Sequence, residues 1–162
     1  MAPERSREVD TLLLALDQAY DRKSWHGANL RGALRGLGAE AASLRPGPGR
    51  PSIQELVVHL AYWKYAVLRQ LVDLPRGAFP LKGSNWFPRE GADAACWKAD
   101  LALLDRMHRN LRAAVAVLGP ADLDRPSAKA QHRIRDLVLG AVAHDLHHGG
   151  QIQLIKRLAG TR

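Results

Sequence analysis

The sequence predicts an all-α fold, a bundle of four main helices with one extra short helix. Three observations predict it. Apolar residues recur at three- and four-residue steps through four long segments. No segment alternates over a useful length, and no hairpin dipeptide sits between apolar runs. Proline and glycine clusters, with one capping box, punctuate the segments at helical lengths.

The first helix is expected from about Glu8 to Tyr20, with Val9, Leu12, Leu13, Leu16 and Tyr20 on one face. A short helical segment, "GANLRGALRGL", follows, with Leu30, Leu34 and Leu37 at steps of four and three. The stretch "RPGPGRPSIQEL" opens as a loop and closes on a start signal. Ser52 is the expected N-cap and Glu55, three residues on, completes a capping box. The helix from there should reach about Val72, with Leu56, His59, Trp63, Ala66 and Val67 on one side. Next, "PRGAFPLKGSNWFPREG" from Pro75 to Gly91 carries no helical or alternating pattern. Connections of that length in a compact domain often serve as lids or binding loops. Its Phe79, Trp86 and Phe87 either cover a pocket or pin the loop to the body. The third long helix is expected from about Asp93 to Leu118, presenting Trp97, Leu101, Leu104, His108, Leu111 and Val115, and Gly119-Pro120 stops it. A polar connection, "ADLDRPSAKAQ", leads to a last helix from about His132 to Ala159, with Gly160 just past its end.

Length and composition narrow the function classes. The 162 residues suit one domain spanning 1–162. No stretch approaches the ~18–20 apolar residues of a membrane span. "MAPERSREVD" lacks the apolar run of a signal peptide, so a cytoplasmic protein with no membrane partner is expected. Cys96, the single cysteine, cannot close an internal disulfide and reads as a small buried residue beside Trp97. Twenty-four basic against sixteen acidic residues give a net charge of +8, which favours anionic partners. The basic residues are scattered, however: Arg31 and Arg35, Arg45 and Arg50, Arg106, Arg109 and Arg112, then Lys129, Arg133 and Arg135. With no contiguous run, nucleic-acid binding ranks behind a solvated helical surface.

The stretch "VAHDLHHGGQIQLI" carries the chemistry. The inward stripe of the last helix reads Leu137, Ala141, His144, His148, Ile152 and Ile155. His144 and His148, four apart, project from one face and can share one cation at about 2.0–2.1 Å per bond. Buried imidazoles otherwise need hydrogen-bond partners, and a metal satisfies both at once. His59, on the inward stripe of a neighbouring helix, is the candidate third ligand. Three neutral histidines leave positions open for water or substrate. His147 is turned about 100° from His148 and should face elsewhere. His26, His108 and His132 lack a partner at ligand spacing and read as structural or exposed. Asp145 makes the local string H-D-x-x-H, one methylene short of a motif whose glutamate is a general base. It is a candidate catalytic base, an orienting partner for a ligand, or a surface charge. Each glycine of Gly149-Gly150 costs about 1 kcal/mol against alanine in a helix, so close helix packing is expected there, including a dimer contact.

These residues resemble the DinB-like superfamily of metal-binding four-helix bundles, which includes YfiT-like proteins classed as hydrolases and several thiol-dependent S-transferases. "SWHGANLRGALRGL", "SIQELVVHLAYWK", "AACWKADLALLDRMH" and, most specifically, "HDLHHGGQI" carry the likeness over most of the chain. The resemblance assigns His59, His144 and His148 as metal ligands. It implies a divalent ion, commonly nickel or zinc, crossover connections between the helices, and a homodimer. Where the family often has an aromatic residue before the last ligand, this chain has His147. The expected function is a metal-dependent hydrolase or thiol S-transferase acting on a small, anionic substrate or thiol cosubstrate. The alternative is a non-catalytic metal-binding or stress-response protein.

Overall fold

The computed structural model describes residues 6–72, 74–127 and 131–160. The first residues of "MAPERSREVD", Lys129 and part of the "ADLDRPSAKAQ" connection lie outside the described residues. Four long helices form the body: α1 (Arg7–Tyr20), α4 (Ile53–Leu71), α5 (Ala94–Ala116) and α7 (Ile134–Leu158). Three five-residue helices connect them: α2 (Leu30–Leu34), α3 (Ala39–Ser43) and α6 (Pro120–Asp124). One short helix was expected; α3 and α6 are additional. Both lie where glycine and proline break the pattern, and each is too short to show a full apolar period. The single bridge among the described residues joins Pro126 and Arg133, so the all-α class holds.

Local signals place the helix ends. Ser52 Oγ accepts from the Glu55 amide at 3.2 Å, and the Glu55 carboxylate accepts from the Ser52 amide at 3.0 Å, so the capping box forms. Asp93 caps α5 by accepting from the Cys96 amide at 2.7 Å. Gly160, at φ +68°, terminates α7 in the left-handed conformation that glycine adopts at no steric cost.

The packing is cyclic. α4 lies against α5 and α7, and α1 lies against α7 and α5. The buried apolar residues form two clusters, and each long helix passes through both. α1 runs from the second cluster (Val9, Leu16) to the first (Tyr20), and α7 likewise runs from Ile134 and Val138 to Ile152 and Ile155. α4 and α5 run the other way, from Leu56 to Leu71 and from Leu104 to Val115. Adjacent α4 and α5 are therefore parallel, while α7 is antiparallel to α4. A parallel neighbour cannot be reached by a tight turn. The chain must travel back along α4, about 28 Å for its nineteen residues. This geometry explains the long Pro75–Gly91 segment, and it is a crossover of the kind expected.

A polar layer separates the two clusters. Lys64 and Asp145 are 2 % and 1 % exposed, and their Nζ and Oδ2 atoms lie 2.5 Å apart. Lys64 Nζ also sits 5.1 Å from the centre of the Tyr20 ring. His108 stacks on the other partner in this layer, Tyr20, with centroids 3.6 Å apart. The Tyr20 hydroxyl donates to Asp105. The layer corrects two expected faces. On α4, Trp63 is exposed and Lys64 is buried. On α7, the most buried line passes through Val138, Ala141, Asp145, His148 and Ile152, leaving Leu137 and His144 half-buried at its edge. Hydropathy alone sends Lys and Asp outward; a mutual ion pair brings them in. Gly149 packs against α2, with the Leu30 Cα 3.8 Å from where a Cβ would stand, whereas Gly150 is open.

Removing one partner of a buried ion pair strands the other. Lys64→Met should lower stability by about 3–5 kcal/mol, and Lys64→Met/Asp145→Leu by less than the single change, read by denaturant unfolding. His108 gives a pH signature. Burial, reinforced by the Lys64 ammonium, holds its imidazole down at about 3. An unfolded chain takes up that proton near pH 6.5. Stability is therefore full above pH 6.5 and falls as the pH drops towards 3. His108→Phe should flatten that loss by up to about 1.4 kcal/mol per pH unit, read from melts between pH 7.5 and 4.5.

Candidate metal centre

The antiparallel seam between α4 and α7 brings His59, His144 and His148 together. His59 Nε2 lies 3.2 Å from His144 Nε2, and His148 Nε2 lies 3.0 Å from the same atom. One ligand atom from each ring lies within 4.8 Å of the other two. Two nitrogens bound at 2.0–2.1 Å to one tetrahedral ion stand about 3.3 Å apart, so the observed spacing fits a shared cation. His59 and His148 are buried and His144 is half-buried.

The opposite edges of two rings are already committed. His59 Nδ1 lies 2.8 Å from the backbone oxygen of Asn85, and His148 Nδ1 lies 2.7 Å from Gln151 Oε1. Carbonyl and amide oxygens only accept, so both Nδ1 atoms carry the proton and both Nε2 atoms present a lone pair. His144 can offer at most one proton between two such acceptors. The cluster is thus an electron-rich pocket short of a positive centre, which is the donor chemistry of a divalent-metal site.

Electrostatics keep the rings neutral. Burial, then the neighbouring imidazoles His148 and His59, push His144 down to about 3. Burial pushes His148 down to about 4, against the Gln151 hydrogen bond. Burial also lowers His59. The neutral imidazole is the form that binds a metal.

The crossover loop completes the site. Phe79 and Phe87 are buried in the first cluster, each contributing about 1.5–3 kcal/mol by burial. Arg89 forks onto Asp100 at 2.9 and 2.8 Å. Trp86 instead stacks on His59, centroids 4.0 Å apart, while staying partly exposed. The loop aromatics thus divide the two expected roles: the phenylalanines pin, and the tryptophan covers. Asn85, at φ +63°, holds both ends of the contact. Its backbone oxygen takes the His59 proton, and its side-chain oxygen accepts from Trp63 Nε1 at 2.9 Å. Asparagine tolerates this left-handed conformation better than most residues. Sequence reasoning did not single out Asn85; the string "GSNW", a glycine-led turn within the loop, was its one signal.

Asp145 lines the same cavity of about 620 Å³ as His59, His144 and Trp86. It is fully buried, which excludes the surface-charge reading; Oδ2 meets Lys64 and Oδ1 has no partner. His147 is exposed and outside the converging trio, but it does not face elsewhere: its ring stands edge-on to that of His148, centroids 4.9 Å apart. It also reaches His148 through Gln151, whose Nε2 donates to His147 Nε2 at 3.2 Å. His108 is buried in the polar layer, whereas His26 and His132 are exposed. Cys96 is half-buried beside Gln54 and Asp100 rather than fully enclosed.

Gln151 is exposed and touches the cluster only through the hydrogen bond that orients His148. Gln151→Leu should weaken binding of a divalent ion about 10–100-fold, with helicity and melting temperature of the metal-free protein unchanged, read by calorimetric titration with nickel and zinc.

No curated protein matches the chain, and no solved structure matches it. A family model does: that of the DinB superfamily, over residues 23–152. The match takes in α2 through most of α7, including all three converging histidines, and on this ground the chain belongs to the DinB superfamily.

Proposed function

We propose that the protein binds one divalent metal ion, nickel or zinc, through His59, His144 and His148, and uses it as a hydrolase or thiol S-transferase. The observation that carries this reading is the convergence of three Nε2 atoms, two of them stripped of protons by Asn85 and Gln151. A divalent ion held there would supply Lewis-acid polarisation of a substrate oxygen or stabilise a thiolate.

The chain's own groups set the rest. Among the described residues, no fourth His, Cys, Asp or Glu donor belongs to the cluster. Structural sites usually close with four protein ligands, so the three-donor set favours a site that takes an exogenous ligand over a purely structural one. The adjoining cavity would receive that ligand. Trp86 and Trp63 provide apolar walls that limit water. Asp145 is the candidate proton acceptor: burial pushes its carboxyl up, against the pull of Lys64, and a raised carboxylate is a stronger base.

Metal analysis of protein prepared without a histidine tag should give about one divalent ion per chain. His59→Ala, His144→Ala and His148→Ala should each lose it, with affinity reduced by more than about 100-fold. Equal, negligible metal in wild type and variants would falsify the ligand set. A panel of thiols (glutathione, bacillithiol, mycothiol) with an electrophile, beside a panel of esters and amides, separates transfer from hydrolysis.

A further inference from the structure

A second cavity, about 920 Å³, lies between the C-terminal half of α4 and the crossover loop. Among the described residues, its lining includes three cations, Arg69, Arg76 and Lys82, and no Asp or Glu. Among the described residues, no carboxylate pairs with any of the three. Elsewhere several arginines have carboxylate partners: Arg31 with Asp105, Arg45 with Glu55, Arg89 with Asp100, Arg112 with Asp17, and Arg133 and Arg135 with Asp124. Unmatched cations gathered on one concave surface differ from a solvated face, because apolar walls concentrate their field.

The walls here are apolar. Tyr62, Tyr65, Phe79 and Leu81 line the cavity, and Phe79 is itself buried. The Arg69 guanidinium lies over the Tyr65 ring at 5.8 Å, with its Nε 3.5 Å from the Leu74 backbone oxygen. That contact fixes the orientation of one cation in advance of binding. Gln70, also in the lining, has a buried side-chain oxygen with no hydrogen-bond partner, an acceptor that a ligand donor would satisfy.

This cavity adjoins the histidine site. Trp63, Val67 and Leu137 line both. His59 and Arg69 stand ten residues apart on one helix, about 15 Å along its axis. We propose that the groove bounded by Arg69, Arg76 and Lys82 binds the anionic end, carboxylate or phosphate, of an extended small molecule with an apolar or aromatic body. Its role as a substrate subsite rests on the metal-centre reading, which places the reactive end of that molecule at the three histidines. Lys64 does not belong to this set, since Asp145 neutralises it.

The test uses 1-naphthyl phosphate, 1-naphthoate and uncharged 1-naphthol, titrated against the full-length protein with tryptophan fluorescence, since Trp63 lines both cavities. At least one of the two anions should bind tenfold or more tightly than naphthol, with affinity falling as salt rises. Which anion binds better distinguishes a phosphate-bearing from a carboxylate-bearing ligand. Arg76→Ala/Lys82→Ala, on exposed positions, should cut anion affinity at least tenfold while leaving metal content and naphthol binding unchanged. His144→Ala should remove metal and leave anion affinity intact. Equal binding of naphthol and both anions, or unchanged anion affinity in the double variant, overturns the proposal. Anion binding that needs Arg76 and Lys82 in a protein that holds no metal supports the groove and removes the metal-centre reading alone.

Discussion

The Lys64–Asp145 ion pair fixes how α4 and α7 meet, and the candidate site depends on that meeting. Both groups are fully removed from water, so each is tolerable only against the other. The pair crosses the same seam as the His59–His144 contact. Asp145 follows His144 directly, and Lys64 lies five residues past His59. A slip of one helical turn, about 5.4 Å, would strand two charges and separate the imidazoles together. The energetic demand of the ion pair and the geometric demand of the histidines thus select one register. Apolar contacts alone select less sharply, because leucine and valine pack acceptably in several registers.

The crossover loop is the second determinant, and it follows from topology rather than from its own sequence. α4 and α5 are adjacent and parallel, so the chain must return along the length of the bundle. That return path passes over the α4–α7 seam. The loop can therefore supply Asn85 to one imidazole and Trp86 to its face while Phe79, Phe87 and Arg89 anchor it. The same path encloses the cationic groove.

Much of this was legible in the residues. The four long helices end within about two residues of their expected bounds, because capping chemistry and glycine–proline stops are local signals. The histidine trio was legible because an i, i+4 pair on an inward stripe is rare without a reason. The burial of Lys64 and the exposure of Trp63 were not. Their placement depends on a partner 81 residues away, which no local pattern encodes. Asn85 was hidden for a related reason: its contribution to His59 is a backbone oxygen, and any residue type carries one. The short helices α3 and α6 fell below the length at which periodicity can be read.

The polar layer also divides the interior into two apolar compartments, one walled by α2, α3 and the loop phenylalanines, the other by α6 and the start of α1. Each compartment has its own cohesion, and neither shares its contacts fully with the other. Fraying at the α6 end would expose Val9, Leu123 and Ile134 while the opposite half stays closed. The bundle can in this way breathe at one pole without loosening the other. Because the histidines span the boundary on α7, a ligand that ties them together would also weld the two halves into one cooperative unit.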